Sequence, residues 1–144
     1  MNGTGSTTFS SDADTTRGMI VTMLARLEGV NTAGTPWYAA GQKWAMDTGI
    51  SDGTNMTGAV TREQLAAILY RYAVYKGYDV TEKADLSGFA DAAAVSTYAV
   101  DPLAWANAVG LINGTAAGTL VPRGGATRAQ AATILMRWLE TAAN

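Results

Sequence analysis

The chain has 144 residues, 48% apolar and 15% charged, which suits one folded domain with its own core rather than a disordered chain. A net charge of −2 and a pI near 4.9 exclude the clustered positive surface that nucleic-acid binding needs. Histidine and cysteine are both absent, which removes Ser-His-Asp triads, imidazole bases, thiolate nucleophiles, disulfides and zinc sites built on either residue.

The opening stretch Met1-Asn2-Gly3-Thr4-Gly5-Ser6-Thr7-Thr8 has neither a basic segment nor an apolar run, so it does not read as a signal peptide. An exported form has already lost its signal, or the chain belongs to something longer. No window approaches the ~20 apolar residues that span a bilayer, so no membrane insertion is expected. Asp12-Ala13-Asp14 has the spacing of a calcium-loop fragment but lacks the other ligands and the glycine, and no metal is assigned.

The first predicted helix opens at Thr16-Arg17. Counting from Arg17, offsets +3, +6, +7 and +10 carry Ile20, Met23, Leu24 and Leu27, one helical face. Met19 stands where a capping box places Glu or Gln, so this start is weaker, and Gly29 ends the helix. A second helix runs through Trp44-Ala45 into the loop Gly49-Ile50-Ser51-Asp52-Gly53. A third opens at Thr61-Arg62, carries Leu65, Ile68, Leu69 and Tyr72 at the same four offsets, and ends near Gly77. The linker Tyr78 to Ser96 contains Leu86, Phe89 and Val95 and is expected to pack. A fourth helix runs through Trp105-Ala106 into Gly110-Leu111-Ile112-Asn113-Gly114. The last opens at Thr127-Arg128 with Ala131, Ile134, Leu135 and Trp138 at the four offsets. Thr61-x-x-Gln64 and Thr127-x-x-Gln130 are capping boxes. A second arginine recurs at +9: Arg26, Arg71 and Arg137.

These elements are an internal repeat of helix, glycine-bounded loop and Thr-Arg helix. Met1-Asn2-Gly3-Thr4 matches Ile112-Asn113-Gly114-Thr115, and Phe9 matches Leu120, so the first unit begins inside its loop. The expected organisation is one all-α domain over 1–144: an incomplete first repeat (1–30), a second (31–77) and a third (78–144).

The repeat resembles the S-layer homology (SLH) family. Phe89-Ala90-Asp91, Val95-Ser96-x-Tyr98-Ala99, Trp105-Ala106, Gly110-Leu111-Ile112-Asn113-Gly114, Leu120-x-Pro122 and Thr127-Arg128-Ala129-Gln130 carry the likeness. Trp37-Tyr38-Ala39, Trp44-Ala45, Gly49-Ile50, Gly53 and Thr61-Arg62-Glu63-Gln64 repeat it. Gln64 and Gln130 stand where the family usually has Glu, and the first copy reads Thr16-Arg17-Gly18-Met19. The resemblance implies a pseudo-threefold, all-helical bundle whose inter-repeat grooves bind secondary cell-wall polysaccharide, often pyruvylated. It also implies an extracellular, non-catalytic module at the bacterial cell wall or S-layer, with no cofactor.

By position, the resemblance nominates Arg17, Arg62 and Arg128 as groove arginines. An arginine directly after an N-cap lies in the first turn, where free amides and the helix dipole favour anions, and its planar fork matches a ketal carboxylate. Trp37, Tyr38 and Tyr98 are candidates to face a sugar ring, and Asp52 and Asn113 to bond hydroxyls. Trp44, Trp105 and Trp138 read as packing, and Arg26, Arg71 and Arg137 as structural. Asp52, Glu63 and Asp91 are the carboxylates available for glycosidase chemistry, and nothing marks them for it. A second functional reading is protein interaction or self-association through an apolar stripe (Ile20, Met23, Leu24, Leu27) that the incomplete repeat leaves open.

Overall fold

The computed structural model describes residues 15–114 and 118–143. The matches assigned to Met1–Thr4, Phe9 and Thr115, and the Asp12/Asp14 pair, lie outside the described residues. Among the described residues there are five α-helices: α1 (Arg17–Leu27), α2 (Ala39–Thr48), α3 (Arg62–Tyr75), α4 (Val100–Ala108) and α5 (Arg128–Ala143). Among the described residues there is no β-strand, only two isolated antiparallel bridges, Thr16 with Ala59 and Thr61 with Gly125.

The three Thr-Arg helices start as their sequences dictate. Thr16 Oγ1 accepts from the Met19 amide at 3.1 Å, with no return bond available from methionine. On α3 the Gln64 amide donates to Thr61 Oγ1 at 3.2 Å, and Gln64 Oε1 accepts from the Thr61 amide at 2.9 Å. The same exchange closes between Thr127 and Gln130 on α5, at 3.1 and 3.0 Å. Gly29 and Gly77 follow α1 and α3 at φ of +80° and +78°, the left-handed geometry that lets the chain turn away.

What joins these helix starts is backbone. The Thr15 amide donates to the Ala126 carbonyl (3.0 Å), the Ala126 amide to Val60 (2.9 Å) and the Val60 amide to Thr15 (2.8 Å). These residues each directly precede a Thr-Arg pair, and all three are fully buried. In that dry setting an unmade bond would cost more than a made one gains, so the ring fixes the three helix starts relative to one another.

The two leading helices lie against the Thr-Arg helix of the preceding unit: α2 packs on α1, and α4 packs on α3. Gly41 sets the first approach, because a Cβ there would meet the Thr22 backbone at 2.8 Å. Side chains from all five helices form one core, with Ile20 and Leu24 of α1, Leu65 and Leu69 of α3, and Leu103 and Trp105 of α4 fully or almost fully buried. At the far end from the ring the aromatics join: Tyr70 meets Trp105, Trp105 meets Trp138, and Trp138 meets Tyr72, with centroids 5.7, 5.7 and 6.2 Å apart. The 78–96 linker packs as expected. It forms 3₁₀ turns, places Leu86 and Val95 against the core, and is pinned by the Ala84 amide donating to the Ala104 carbonyl at 2.9 Å.

The apolar stripe expected on α1 is not open. Ile20 and Leu24 are fully buried and Met23 is partly buried, because the stripe faces the common core, and Leu27 at its end is exposed.

Candidate functional site: two equivalent grooves

Two grooves lie along the Thr-Arg helices α3 and α5, and most of their lining residues stand at matching offsets from Arg62 and Arg128 or in matching glycine loops. The first, about 360 Å³, is lined by Arg17, Ser51, Asp52, Gln64, Ala67, Ile68, Arg71 and Tyr98. The second, about 350 Å³, replaces Arg17 with Arg62, Ser51 and Asp52 with Ile112 and Asn113, Gln64 with Gln130, Ala67 with Thr133, Ile68 with Ile134 and Arg71 with Arg137, adds Leu111 and Ala129, and has no counterpart of Tyr98. Each groove therefore combines the arginine that opens one Thr-Arg helix with the glycine loop and Thr-Arg helix that follow it in the chain.

The first groove assembles Arg17, Asp52 and Tyr98 from the predicted set. Arg17 Nη1 is spread over Thr54, at 3.3 Å from its carbonyl and 3.2 Å from Oγ1, with the guanidinium at the solvent edge. Asp52 accepts from the Thr54 amide at 3.0 Å and from its hydroxyl at 2.7 Å. Those bonds, the backbone one first, hold its carboxyl below the ordinary value, and the Arg17 and Arg71 charges add to this. The groove thus carries two guanidinium groups and one carboxylate. The Tyr98 hydroxyl donates to Glu63 Oε2 at 3.1 Å, while the same carboxylate accepts from the Ser96 amide (3.0 Å) and hydroxyl (2.6 Å). Glu63 is buried, so its bonds hold Tyr98 by the hydroxyl and leave a ring that is 47% exposed. Burial, then the Glu63 charge, pushes the Tyr98 phenol above its ordinary value, and it stays protonated at neutral pH.

The second groove holds Arg62 and Asn113. Arg62 Nε donates to the Leu120 carbonyl at 2.8 Å and Nη2 to the Asn113 carbonyl at 2.9 Å. Half-buried, it is drawn below the usual arginine value by desolvation yet remains charged. Arg128 lines neither groove, and its buried Nε has no acceptor among the described residues. Trp37 also lies outside both grooves, edge-on to Tyr38 with centroids 5.3 Å apart.

One expectation needs correction. The first-turn amides are not open to an anion: those of Arg17 and Gly18 donate to the Gly58 and Met56 carbonyls at 3.1 and 2.7 Å, and those of Arg62 and Glu63 donate to Gly124 and Pro122, both at 2.9 Å. The loop that closes each seam saturates the helix end, and any anion in these grooves must be met by guanidinium instead. Of the +9 arginines read as structural, Arg71 and Arg137 also line the grooves, and Arg71 Nη1 donates to the Ile50 carbonyl at 3.5 Å. The signal was present in the sequence, because Gln64 and Arg71, like Gln130 and Arg137, are seven residues apart and share a helical face.

Asp91 shapes the second seam. Its carboxylate accepts from the Leu120 amide at 2.7 Å and the Val121 amide at 2.9 Å, holding the loop whose Leu120 carbonyl receives Arg62. The Leu120 bond leads in holding this carboxyl below its ordinary value, and Arg62 adds to it. A depressed folded value contributes stability above the unfolded pKa of about 3.9, and that contribution is lost as pH falls through the folded value. Asp91→Asn is therefore expected to flatten the acid limb of melting temperature against pH below about pH 4. Parallel curves for variant and parent would remove Asp91 from the acid response.

The S-layer homology domain profile matches residues 88–132, which span the linker, α4, its loop and the start of α5. The chain carries an S-layer homology domain. It is 35% identical over 113 residues to the exoglucanase XynX of Acetivibrio thermocellus and 33% identical over 113 residues to the amylopullulanase of Thermoanaerobacterium thermosulfurigenes, each match covering 75% of this chain. It is also 29% identical over 148 residues to an endoglucanase of Bacillus sp. (strain KSM-635), across 94% of this chain. These matches span 10%, 6% and 16% of those enzymes' lengths, so the likeness concerns a small part of each. S-layer homology domains are non-catalytic cell-surface anchoring modules that bind cell-wall polymers, and they place the chain in association with the cell surface. Among the described residues no helix is long and apolar enough to cross a membrane.

Proposed function

We propose that this chain anchors a protein to the bacterial cell wall by binding an acidic, pyruvylated secondary wall polysaccharide in the seams between three related helical units (1–30, 31–77 and 78–144). The cyclic backbone ring of Thr15, Val60 and Ala126 and the seven matched positions in the linings of the two grooves support a pseudo-threefold arrangement. The observation that carries the ligand reading is the first groove, where Arg17 and Arg71 stand with an exposed tyrosine ring anchored through its hydroxyl. A ketal carboxylate presents two oxygens to a guanidinium fork, a bond about twice as strong as a neutral one. The C–H face of the same sugar covers the Tyr98 ring, and Asp52 accepts from its hydroxyls. The second groove has arginines but no aromatic and no carboxylate in its lining, so the first is the stronger site.

Sedimentation with purified wall polysaccharide, before and after chemical removal of the pyruvyl ketal, tests this. Retention is expected on the native polymer and to be lost on the depyruvylated one. Equal retention on both would overturn recognition of the acid.

A further inference from the structure

The first groove has a neighbour in line with it. Past Arg71 lies an end cavity of about 290 Å³, lined by Thr48, Gly49, Tyr70, Arg71, Val74 and Tyr75. Both walls run on from the groove. On α3, Gln64, Ala67, Ile68 and Arg71 line the groove, and Arg71, Val74 and Tyr75 line the end cavity, steps of three and four that keep to one helical face. On the other side, Ser51 and Asp52 of the glycine loop give way to Thr48 and Gly49 at the end of α2. From Gln64 to Tyr75 the helix rises about 16 Å at ~1.5 Å per residue, more than one sugar ring covers.

The end cavity differs from the groove in chemistry. Arg71 is the one charged residue in its lining and stands at the junction, where Nη1 reaches the Ile50 carbonyl at 3.5 Å. That bond is long, so it yields readily to a better acceptor. Past Arg71 the surface is apolar with hydroxyls. Tyr75 stacks on Tyr72 with centroids 6.4 Å apart and meets Trp44 edge-on at 6.1 Å, which holds a ring that is 48% exposed. The Thr48 hydroxyl donates to the Trp44 carbonyl at 2.8 Å, which commits its proton and leaves the oxygen to accept. Gly49 keeps its side open, since a Cβ there would meet nothing within 4 Å. A fixed aromatic ring, a hydroxyl acceptor and one shared cation suit the C–H face and hydroxyls of an uncharged sugar.

We propose that the end cavity is a second saccharide subsite, taking the neutral sugar next to the acidic one in the same polymer chain. This rests on the reading of the first groove as the site of the ketal carboxylate, with Arg71 meeting the acid on one side and the neighbouring ring on the other. The shared arginine and the two continuous walls name the occupant, because a chain seated between Tyr98 and Arg71 runs next onto Tyr75. The second groove lacks this extension. Val109, Met136, Glu140 and Thr141 stand in sequence where the first has Thr48, Tyr70, Val74 and Tyr75, so the aromatics are gone and a carboxylate replaces valine. Recognition of more than one ring therefore belongs to the first groove.

Titration calorimetry tests it, with the ketal-bearing sugar alone and with fragments of two and three rings that contain it, cut from purified wall polysaccharide with the ketal retained. Affinity is expected to rise at least tenfold from the single sugar to the longer fragments. Tyr75→Ala and Val74→Glu, two exposed positions in the last turn of α3, are expected to erase that rise and leave the affinity for the single sugar unchanged. Val74→Glu installs the residue type that α5 carries at this offset, and an unchanged unfolding midpoint checks the fold of each variant. Arg17→Ala is expected to lower the affinity of all fragments alike. Single-sugar binding with no gain from length, or a gain that both substitutions leave intact, overturns the subsite and leaves the first groove standing. Equal losses on one ring and on three would mean that these residues support the groove, and would also overturn it. Failure of every fragment to bind overturns the subsite and the groove reading together.

Discussion

Trp105→Ala is expected to destabilise the fold by about 3–5 kcal/mol, the range for emptying a packed aromatic site. Trp44→Ala, its counterpart one unit earlier, is expected to cost about 1–2 kcal/mol, as usual for a part-exposed position. The difference comes from what each ring touches. Trp105 is 2% exposed and lies between Tyr70 on α3 and Trp138 on α5, so its removal opens a cavity where three helices meet. Trp44 meets Tyr72 and Tyr75 but stays half-buried, because the α1 position equivalent to Tyr70 is Ala25 and offers no ring. Against a total stability of about 5–15 kcal/mol, the first loss leaves a marginal protein and the second does not. Midpoints of guanidinium unfolding decide it, and equal losses would mean that the two tryptophans share the core evenly.

The helix starts were legible because they are written in side chains. Thr-x-x-Gln specifies a capping box wherever it stands, and both boxes close. The apolar offsets likewise named the buried faces of α1, α3 and α5, apart from Met23 at mid-burial and Leu27 at the open end. The ring that ties the three starts together was not legible. Its members are a threonine, a valine and an alanine, and the bonds run through amides and carbonyls that any residue but proline supplies. For the same reason the sequence hid the carbonyls of Met56, Gly58, Pro122 and Gly124 that take up the first-turn amides of α1 and α3, so it suggests a dipole site for anions at two helix starts where the amides are already engaged. The place of Arg71 was hidden differently. Its offset lies beside the core stripe, and only the glycine loop folding back across the seam makes that flank a groove wall. Tyr98 was picked by motif, but the buried Glu63 that orients it was not, because its role depends on a contact 35 residues away.

Arg17→Ala and Arg71→Ala are each expected to weaken polysaccharide binding about ten- to hundredfold, the equivalent of one hydrogen-bonded charge at about 1.5–3 kcal/mol. Arg17 is the cleaner probe. Its guanidinium sits at the groove edge over Thr54, so deletion should leave the melting temperature unchanged. Arg17→Lys keeps the charge and loses the fork, and it should recover little of the affinity if the carboxylate is held in two-point fashion. Recovery to parental affinity would mean that a point charge suffices. Arg62→Ala is expected to behave otherwise: it strips partners from the Leu120 and Asn113 carbonyls and should lower stability and binding together. Affinity per folded molecule, measured beside thermal unfolding for all four variants, separates recognition from support. A fall in melting temperature with unchanged affinity for Arg17→Ala and Arg71→Ala would move both arginines to the structural side, and the first groove would lose its claim to an acidic ligand. Added salt sharpens the same distinction, because solvent-facing guanidinium groups are screened within about 8 Å at physiological ionic strength, whereas the backbone bonds of Arg62 are not.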